Sequence, residues 1–90
     1  MIRTFRSRAL RGYFERGTAR RLNVPNIERV GRMLRALDAA TQPGDMNLPG
    51  YHFQLLRGEQ RWSIRVTGNW RITFGWDGVD AIDVDLEDYH

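Results

Sequence analysis

The chain has 90 residues, of which 41% are hydrophobic, and it contains no cysteine. This length holds the core of one domain, so residues 1–90 are predicted to form a single domain rather than a disordered chain. The absence of cysteine excludes a disulfide scaffold, a thiolate metal site and a thiol nucleophile.

Charge is distributed unevenly along the chain, and all fourteen basic residues are arginines. Residues 1–37 carry ten arginines and two acids, a net charge of +8, whereas residues 77–90 carry six acids and no arginine. A basic amino-terminal part attracts polyanions by long-range steering. The alternative is a solvated surface that reflects biased codon usage. Because arginine keeps its proton in proteins, acid–base chemistry has to come from His52, His90, a tyrosine or a carboxylate.

The sequence shows no targeting or cofactor motif. The first residues lack the apolar core of a signal peptide, and no stretch approaches the roughly 20 apolar residues that span a bilayer. The two histidines lack metal-ligand spacing, and no glycine-rich phosphate loop is present. We therefore expect a cytoplasmic protein with no metal, no cofactor and no membrane partner.

The amino-terminal part predicts a short strand followed by a helix. Apolar and polar residues alternate over residues 2–6, which is the pattern of a strand. Ser7 is a residue type that caps helix starts, and Gly17 is one that follows helix ends. Between them, one face of the helix collects Leu10, Tyr13 and Phe14.

The second helix has the clearest periodicity in the chain. Pro25 suits its first turn. An apolar stripe with helical spacing follows, formed by Ile27, Val30, Leu34 and Leu37. The sequence Thr-Gln-Pro-Gly at residues 41–44 ends the helix.

From residue 51 the hydrophobic period changes to two, which is typical of strands. Four strands are predicted, and the short gaps between them require antiparallel hairpins. Their alternating apolar sets are Tyr51, Phe53 and Leu55; Trp62, Ile64 and Val66; Trp70, Ile72, Phe74 and Trp76; Ile82, Val84 and Leu86. We assign the tryptophans to the core rather than to base stacking. The whole pattern predicts an α+β fold, a small twisted antiparallel sheet with two amino-terminal helices packed on one face.

Strand register decides which polar residues face one another. The apolar sets of strands 61–67 and 70–76 share one face if the loop between them comprises the three residues 67–69. That register sets Arg65 opposite Arg71, where like charges are unfavourable. An anion bound between the two arginines would resolve the repulsion. Alternatively, both splay into water or pair with the acidic last strand.

The polar sheet face and the chain end carry groups that suit a phosphodiester. The face would collect Gln54, Ser63, Arg65, Arg71 and Thr73, and residues 87–90 read Glu-Asp-Tyr-His. Arginine donors hold a phosphate and the charge that develops on it, and histidine titrates near neutral pH. The alternative is a frayed chain end with no catalytic role.

Several phrases of the sequence, in this order, resemble one known family. They are Met-Ile-Arg-Thr-Phe at 1–5, Leu-Asp-Ala-Ala-Thr at 37–41, Met-Asn-Leu-Pro-Gly-Tyr at 46–51, Leu-Arg-Gly at 56–58, Trp-Ser-Ile-Arg-Val at 62–66, Asn-Trp-Arg-Ile-Thr-Phe at 69–74 and the final Glu-Asp-Tyr-His. On these phrases the chain is similar to the HigB toxins, the "killer protein" branch of the RelE-like toxins. The resemblance covers essentially the whole chain.

The resemblance implies a ribonuclease toxin that enters the ribosomal A site and cuts translated mRNA. The RNA 2′-hydroxyl would attack the adjacent phosphate without a metal, so DNA would not be cut. The implied partners are the ribosome with its rRNA, the mRNA and a HigA-type helix-turn-helix antitoxin. Operator DNA would be contacted only through that antitoxin.

Five residues are predicted to be catalytic. The family's basic residue in a Leu-Lys-Gly phrase falls on Arg57, and its terminal Asp, Tyr and His fall on Asp88, Tyr89 and His90. Arg71 joins them from the polar sheet face, where its guanidinium would stabilise charge on the phosphate.

Further residues are predicted to bind RNA. Gln54 and Arg65 would contact the RNA beside the catalytic residues, and Gln54 stands where some family members carry a histidine. Docking on rRNA is assigned to Arg8, Arg11, Arg20, Arg21, Arg29, Arg32 and Arg35. The alternative function is a non-catalytic RNA- or DNA-binding co-repressor that lost activity through Gln54. A purely structural subunit is a third possibility.

Overall fold

A computed structural model describes residues 1–89 of the chain. Its elements, in chain order, are α1 (Arg8–Arg16), α2 (Ile27–Ala39), a 3₁₀ turn (Pro43–Met46), β1 (Gln54–Leu56), β2 (Arg61–Thr67), β3 (Trp70–Asp77) and β4 (Asp80–Asp88). The four strands form one antiparallel sheet in the order β1-β2-β3-β4. The predicted α+β fold is confirmed.

Local capping fixes the ends of both helices. Ser7 Oγ accepts a hydrogen bond from the Leu10 amide at 3.1 Å, and Gly17 ends α1 in the left-handed conformation with φ 74°. Both predictions for α1 are confirmed. The assignment of Pro25 to the first turn of α2 is wrong, because Asn26 is the N-cap and its side chain accepts from the Arg29 amide. Asparagine tolerates the left-handed φ of 61° and supplies the capping oxygen.

The core lies between the helices and one face of the sheet. Its fully buried members include Leu10 of α1, Val30, Met33, Leu34 and Leu37 of α2, and Ile64, Ile72, Phe74 and Val84 of the sheet. The three tryptophans are partly buried against this cluster, as predicted. Trp62 stacks on Phe74 at 6.2 Å between ring centroids, and Trp76 meets the same ring edge-on. None of the helices in residues 1–89 has the length and apolar content that a membrane crossing requires.

The amino-terminal segment lies beside β4 in parallel orientation, and its pairing with β4 is interrupted. The strand predicted at residues 2–6 is reduced to two isolated bridges, Ile2 with Ala81 and Phe5 with Val84. Between the bridges, the Asp83 amide donates to Thr4 Oγ1 instead of to a backbone carbonyl. The side-chain acceptor takes the place of a regular ladder bond, so the pairing is not continuous.

The first strand of the sheet is shorter than predicted. Residues 51–53 lie outside β1 because His52 has φ 47°, which an extended chain does not adopt. Tyr51 and Phe53 still pack against the core. Leu55 does not, since 63% of its surface is exposed.

The β2–β3 hairpin reaches the predicted register by a different route. Thr67 pairs with Trp70, so the loop has two residues rather than the three predicted. An irregularity between Arg65 and Thr67 restores the alternation, and Arg65 lies opposite Arg71 as expected. A β-bulge corrects the pleat by one residue in the same way that a longer loop would.

A second irregularity moves Ile82 off the predicted face. The register shifts between Thr73 and Gly75, and on β4 it is accompanied by Asp83 at φ 51°. Ile82 pairs with Gly75 on the polar side of the sheet, whereas Val84 stays fully buried in the core. The prediction that Ile82 shares a face with Val84 is therefore wrong, because a bulge inverts the alternation on one side of itself.

Candidate active site

Two rows of paired residues run across the sheet face opposite the core. One row joins Gln54 of β1, Ser63 of β2, Thr73 of β3 and Asp85 of β4. The neighbouring row joins Arg65, Arg71 and Glu87. All five polar residues predicted for this face therefore share it, and β4 adds two acids.

Arg71 and Tyr89 form the outer layer of this face. The Arg71 guanidinium carbon lies 5.9 Å from the centroid of the Tyr89 ring. The Tyr89 amide donates to the Asn69 carbonyl at 2.8 Å, which ties the end of the chain to the β2–β3 hairpin. Among residues 1–89, Arg71 Nη1 is buried without a hydrogen-bond partner.

The Tyr89 phenol is protonated at neutral pH. Partial burial raises the pKa of Tyr89 above the ordinary tyrosine value, and the carboxylates of Glu87 and Glu59 raise it further. The positive charges of Arg71 and Arg61 act in the opposite direction and do not cancel the increase. The Tyr89 hydroxyl is therefore a hydrogen-bond donor, not a base.

A buried network that the sequence analysis missed underlies these residues. Arg61 is only 7% exposed, and its Nη2 donates to Thr73 Oγ1 at 3.0 Å and to the Asp83 carbonyl at 2.9 Å. Thr73 Oγ1 in turn donates to Glu87 Oε2 at 2.5 Å. Within the described part of the chain, Arg61 Nη1 and Ser63 Oγ are buried beside this network without hydrogen-bond partners.

Strand alternation in the sequence could have placed Arg61 on the polar face. Residues 61, 63 and 65 of one strand face the same side, so Arg61 belongs with Ser63 and Arg65. The sequence alone does not show its burial. The burial accompanies the register irregularity near Asp83, whose carbonyl accepts from Arg61 Nη2.

The strand register places one of the two acids at the chain end, Glu87, on the polar face and directs the other, Asp88, away from it. Asp88 pairs with Trp70, so strand alternation directs it to the side of the sheet that bears the helices. Glu87 is the acid opposite Arg71. Of the other predicted catalytic residues, Arg57 is exposed in the β1–β2 turn and His90 lies outside the described residues.

Residues 1–89 contain no cluster of three or more His, Cys, Asp or Glu side chains that could hold a metal ion. The described polar face carries arginine donors, hydroxyls and carboxylates. Such groups bind a phosphate and move protons.

Comparison with known proteins agrees with this arrangement. A family model described as "RelE-like toxin of type II toxin-antitoxin system HigB" matches residues 3–90. The chain belongs to the HigB-like toxin family. The protein named "Endoribonuclease HigB" from Proteus vulgaris is 37% identical over 92 residues, which covers the full length of both chains. The resemblance inferred from the sequence phrases is confirmed.

The amino-terminal arginines of this HigB-like toxin lie away from the polar sheet face. Arg8, Arg16, Arg20 and Arg21 line a groove of about 340 Å³ beside α1. Arg32 and Arg35 are exposed on α2, and Arg11 is exposed but pairs with Glu15. Their role in rRNA docking stays a prediction.

Arg29 differs from the other arginines predicted to bind RNA. Its Nη2 donates to the carbonyls of Gly50 at 2.9 Å and Arg65 at 3.1 Å. Its guanidinium also lies over the Tyr51 ring at 5.3 Å. These contacts join α2 to the strand that carries Arg65, so in this toxin Arg29 supports the candidate active site from behind.

Proposed function

We propose that this toxin is a ribosome-dependent endoribonuclease that cuts translated mRNA in the ribosomal A site. The name of the Proteus vulgaris relative supports the reaction class. The observation that carries the proposal is the pairing of Arg65 with Arg71 on the polar face, with Tyr89 placed over Arg71. Arg65 and Arg71 are partners in the strand register, and Arg71 Nη1 is buried without a hydrogen-bond partner among residues 1–89, so their guanidinium donors suit a phosphate.

Cleavage proceeds by attack of the RNA 2′-hydroxyl on the adjacent phosphate, without a metal. Arg57 and Arg71 neutralise the phosphate as charge develops on it, and the protonated Tyr89 phenol donates to a phosphate oxygen. His90 gives a proton to the departing 5′ oxygen. Gln54 and Arg65 hold the RNA beside the reacting phosphate.

The partners follow from the family and the charge distribution. A type II system pairs a toxin with an antitoxin, and we propose a HigA-type helix-turn-helix protein that alone contacts operator DNA. The ribosome is bound through rRNA by the basic amino-terminal part, which has a net charge of +8 over residues 1–37. The location is cytoplasmic, where translated mRNA is found.

Addition of purified toxin to a translating extract tests the reaction. We expect mRNA cuts in codon phase, with a 2′,3′-cyclic phosphate on one product and a 5′-hydroxyl on the other. A 2′-deoxy substitution at the cleaved nucleotide should abolish the cut. Ends with a 5′-phosphate would contradict attack by the 2′-hydroxyl. Intact mRNA together with antitoxin-dependent binding to operator DNA would favour the non-catalytic co-repressor.

Replacement of the proposed general acid tests its role in the same extract. His90→Gln should lower the cleavage rate roughly 10²–10⁴-fold, the usual scale for general acid–base catalysis. Ribosome binding should be unchanged, because the docking arginines are intact. Cleavage at the wild-type rate would remove His90 from the mechanism.

Replacement of Arg71 tests charge stabilisation. Arg71→Ala should abolish most cleavage, and Arg71→Lys should recover only part of it, because lysine keeps the charge without the planar fork. Full recovery by lysine would show that a point charge is sufficient.

A further inference from the structure

The Glu87 carboxylate is held in one orientation on the polar sheet face by a chain of two donors. We propose that Glu87 accepts the proton of the attacking 2′-hydroxyl and that Arg61, acting through Thr73, is its positioning residue. This inference rests on the proposed function, since it adds the proton acceptor to the same reaction.

The direction of each hydrogen bond follows from the donors available. Arginine has only donors, so Thr73 Oγ1 must accept from Arg61 Nη2. The single hydroxyl proton of Thr73 is then directed to Glu87 Oε2, at 2.5 Å. A hydroxyl that receives from a cation is a stronger donor, so this chain favours a fixed carboxylate.

Arg61 is itself fixed by a feature of the backbone. The irregularity near Asp83 leaves that residue's carbonyl free to accept from the same Nη2 at 2.9 Å. The guanidinium lies beside Gly75, where an added Cβ would be at an ordinary van der Waals distance of 3.7 Å from Arg61 Nη1. With only 7% of its surface exposed, Arg61 acts from beneath the face and is not placed to touch RNA.

The position of Glu87 suits a base for the proposed reaction. It lies opposite Arg71 in the strand register and on the same side of β4 as Tyr89. Among residues 1–89, its hydrogen bond from Thr73 engages Oε2 and leaves Oε1 available. The effect of the Glu87 charge on the pKa of Tyr89 shows that the two groups are close.

The proposed step balances without a further reactant. The 2′-hydroxyl proton moves to Glu87 Oε1 while the 2′ oxygen forms a bond to phosphorus. The bond from phosphorus to the 5′ oxygen breaks, and that oxygen takes a proton from His90. Glu87 afterwards returns its proton to solvent, and His90 takes one up.

Single-turnover cleavage on programmed ribosomes tests the role of Glu87. Glu87→Gln keeps an acceptor for Thr73 but cannot take a proton, so the rate should fall roughly 10²–10⁴-fold. The affinity for programmed ribosomes should not change. Glu28→Gln, which alters an exposed carboxylate on α2, is the matched control and should cleave at the wild-type rate.

A pair of variants tests the positioning chain. Thr73→Val removes the hydroxyl with little change in volume and should lower kcat at least about tenfold with KM unchanged. Thr73→Ser restores the hydroxyl and should recover most of the rate. A structural role alone would instead make both variants lose activity in proportion to their loss of folding stability.

NMR titration of tyrosine ring carbons supplies a readout that is independent of cleavage. The NMR signal of Tyr89 is assigned by its absence from the spectrum of Tyr89→Phe. Glu87→Gln should lower the pKa of Tyr89, because one of the charges that raise this pKa is removed. A wild-type toxin that cuts mRNA while Glu87→Gln cuts equally well would overturn this inference and leave the proposed function intact. A wild-type toxin that does not cut mRNA would overturn the proposed function itself.

Discussion

Tyr89 combines a ring that lies over Arg71 with a phenol that keeps its proton at neutral pH. Tyr89→Phe separates these properties, since the ring remains and the donor is lost. We expect cleavage to fall about 10–100-fold, the scale of a hydrogen bond to a charged group. Single-turnover rates on ribosomes provide the measurement. Wild-type cleavage by Tyr89→Phe would leave the residue with a stacking role only.

The raised pKa of Tyr89 also affects folding stability at high pH. Burial and the Glu87 and Glu59 charges make the folded state retain this proton above about pH 10, where the unfolded chain loses it. The folded state then binds more protons, so the free energy of unfolding falls as the pH rises through that range. Urea titrations at about pH 9 and 11 should show a steeper loss for the wild type than for Tyr89→Phe. Equal losses would mean that Tyr89 does not contribute.

At the scale of single residues, the sequence predicted the members of the polar face better than their roles. Alternation correctly grouped Arg65 with Arg71, because register follows from the hydrophobic pattern. It did not reveal that Arg61 is buried, since the Asp83 carbonyl that accepts from Arg61 is made available by a bulge. Nor did it show that Glu87 rather than Asp88 faces Arg71. That assignment requires the pairing of β4 with β3.

At the scale of secondary structure elements, Arg29 links α2 to the sheet. Arg29→Ala removes its bonds to two backbone carbonyls and should lower the free energy of unfolding by about 2 kcal/mol. Arg32→Ala, an exposed change on the same helix, should stay within about 0.5 kcal/mol of the wild type. Urea denaturation measures both. Equal stabilities of the two variants would show that the Arg29 contacts do not hold the helix in place.

The elements that the sequence predicted well are those whose ends are marked by local chemistry. Ser7 and Gly17 bound α1 because capping depends on a few neighbouring residues. The departures occur at Asp83 and between Arg65 and Thr67, where one strand contains an extra residue. Bulges arise from pairing between strands, so one strand's own alternation does not reveal them.

At the scale of the whole molecule, the amino-terminal arginines and the candidate active site occupy different regions. The groove beside α1 is lined by four arginines, whereas the polar face of the sheet includes acids from β4. Such a division suits a protein that docks on one part of an RNA assembly and acts on another. Docking can therefore be altered separately from cleavage.

The salt dependence of ribosome binding tests this division. Replacing both Arg20 and Arg21 with glutamine should weaken binding and reduce the slope of log K against log salt by about 0.7–0.9 for each lost phosphate contact. Arg3→Gln is the control, because Arg3 pairs with Asp77 and Asp80. An unchanged slope in the double variant would assign these arginines to a solvated surface.

The place of β4 in the sheet determines when the candidate active site assembles during synthesis of the toxin. β4 follows the other elements in the chain, yet it lies between β3 and the amino-terminal segment. The Met1 amino group and Asp80 form an ion pair across 79 positions, so residue 1 meets its partner only after residue 80 has been synthesised. Contacts of such sequence separation form slowly. Since Glu87 and Tyr89 reach Arg71 only when β4 docks, a nascent chain whose β4 is still inside the ribosome lacks the candidate active site, and under the proposed function it cannot yet cut the message being translated.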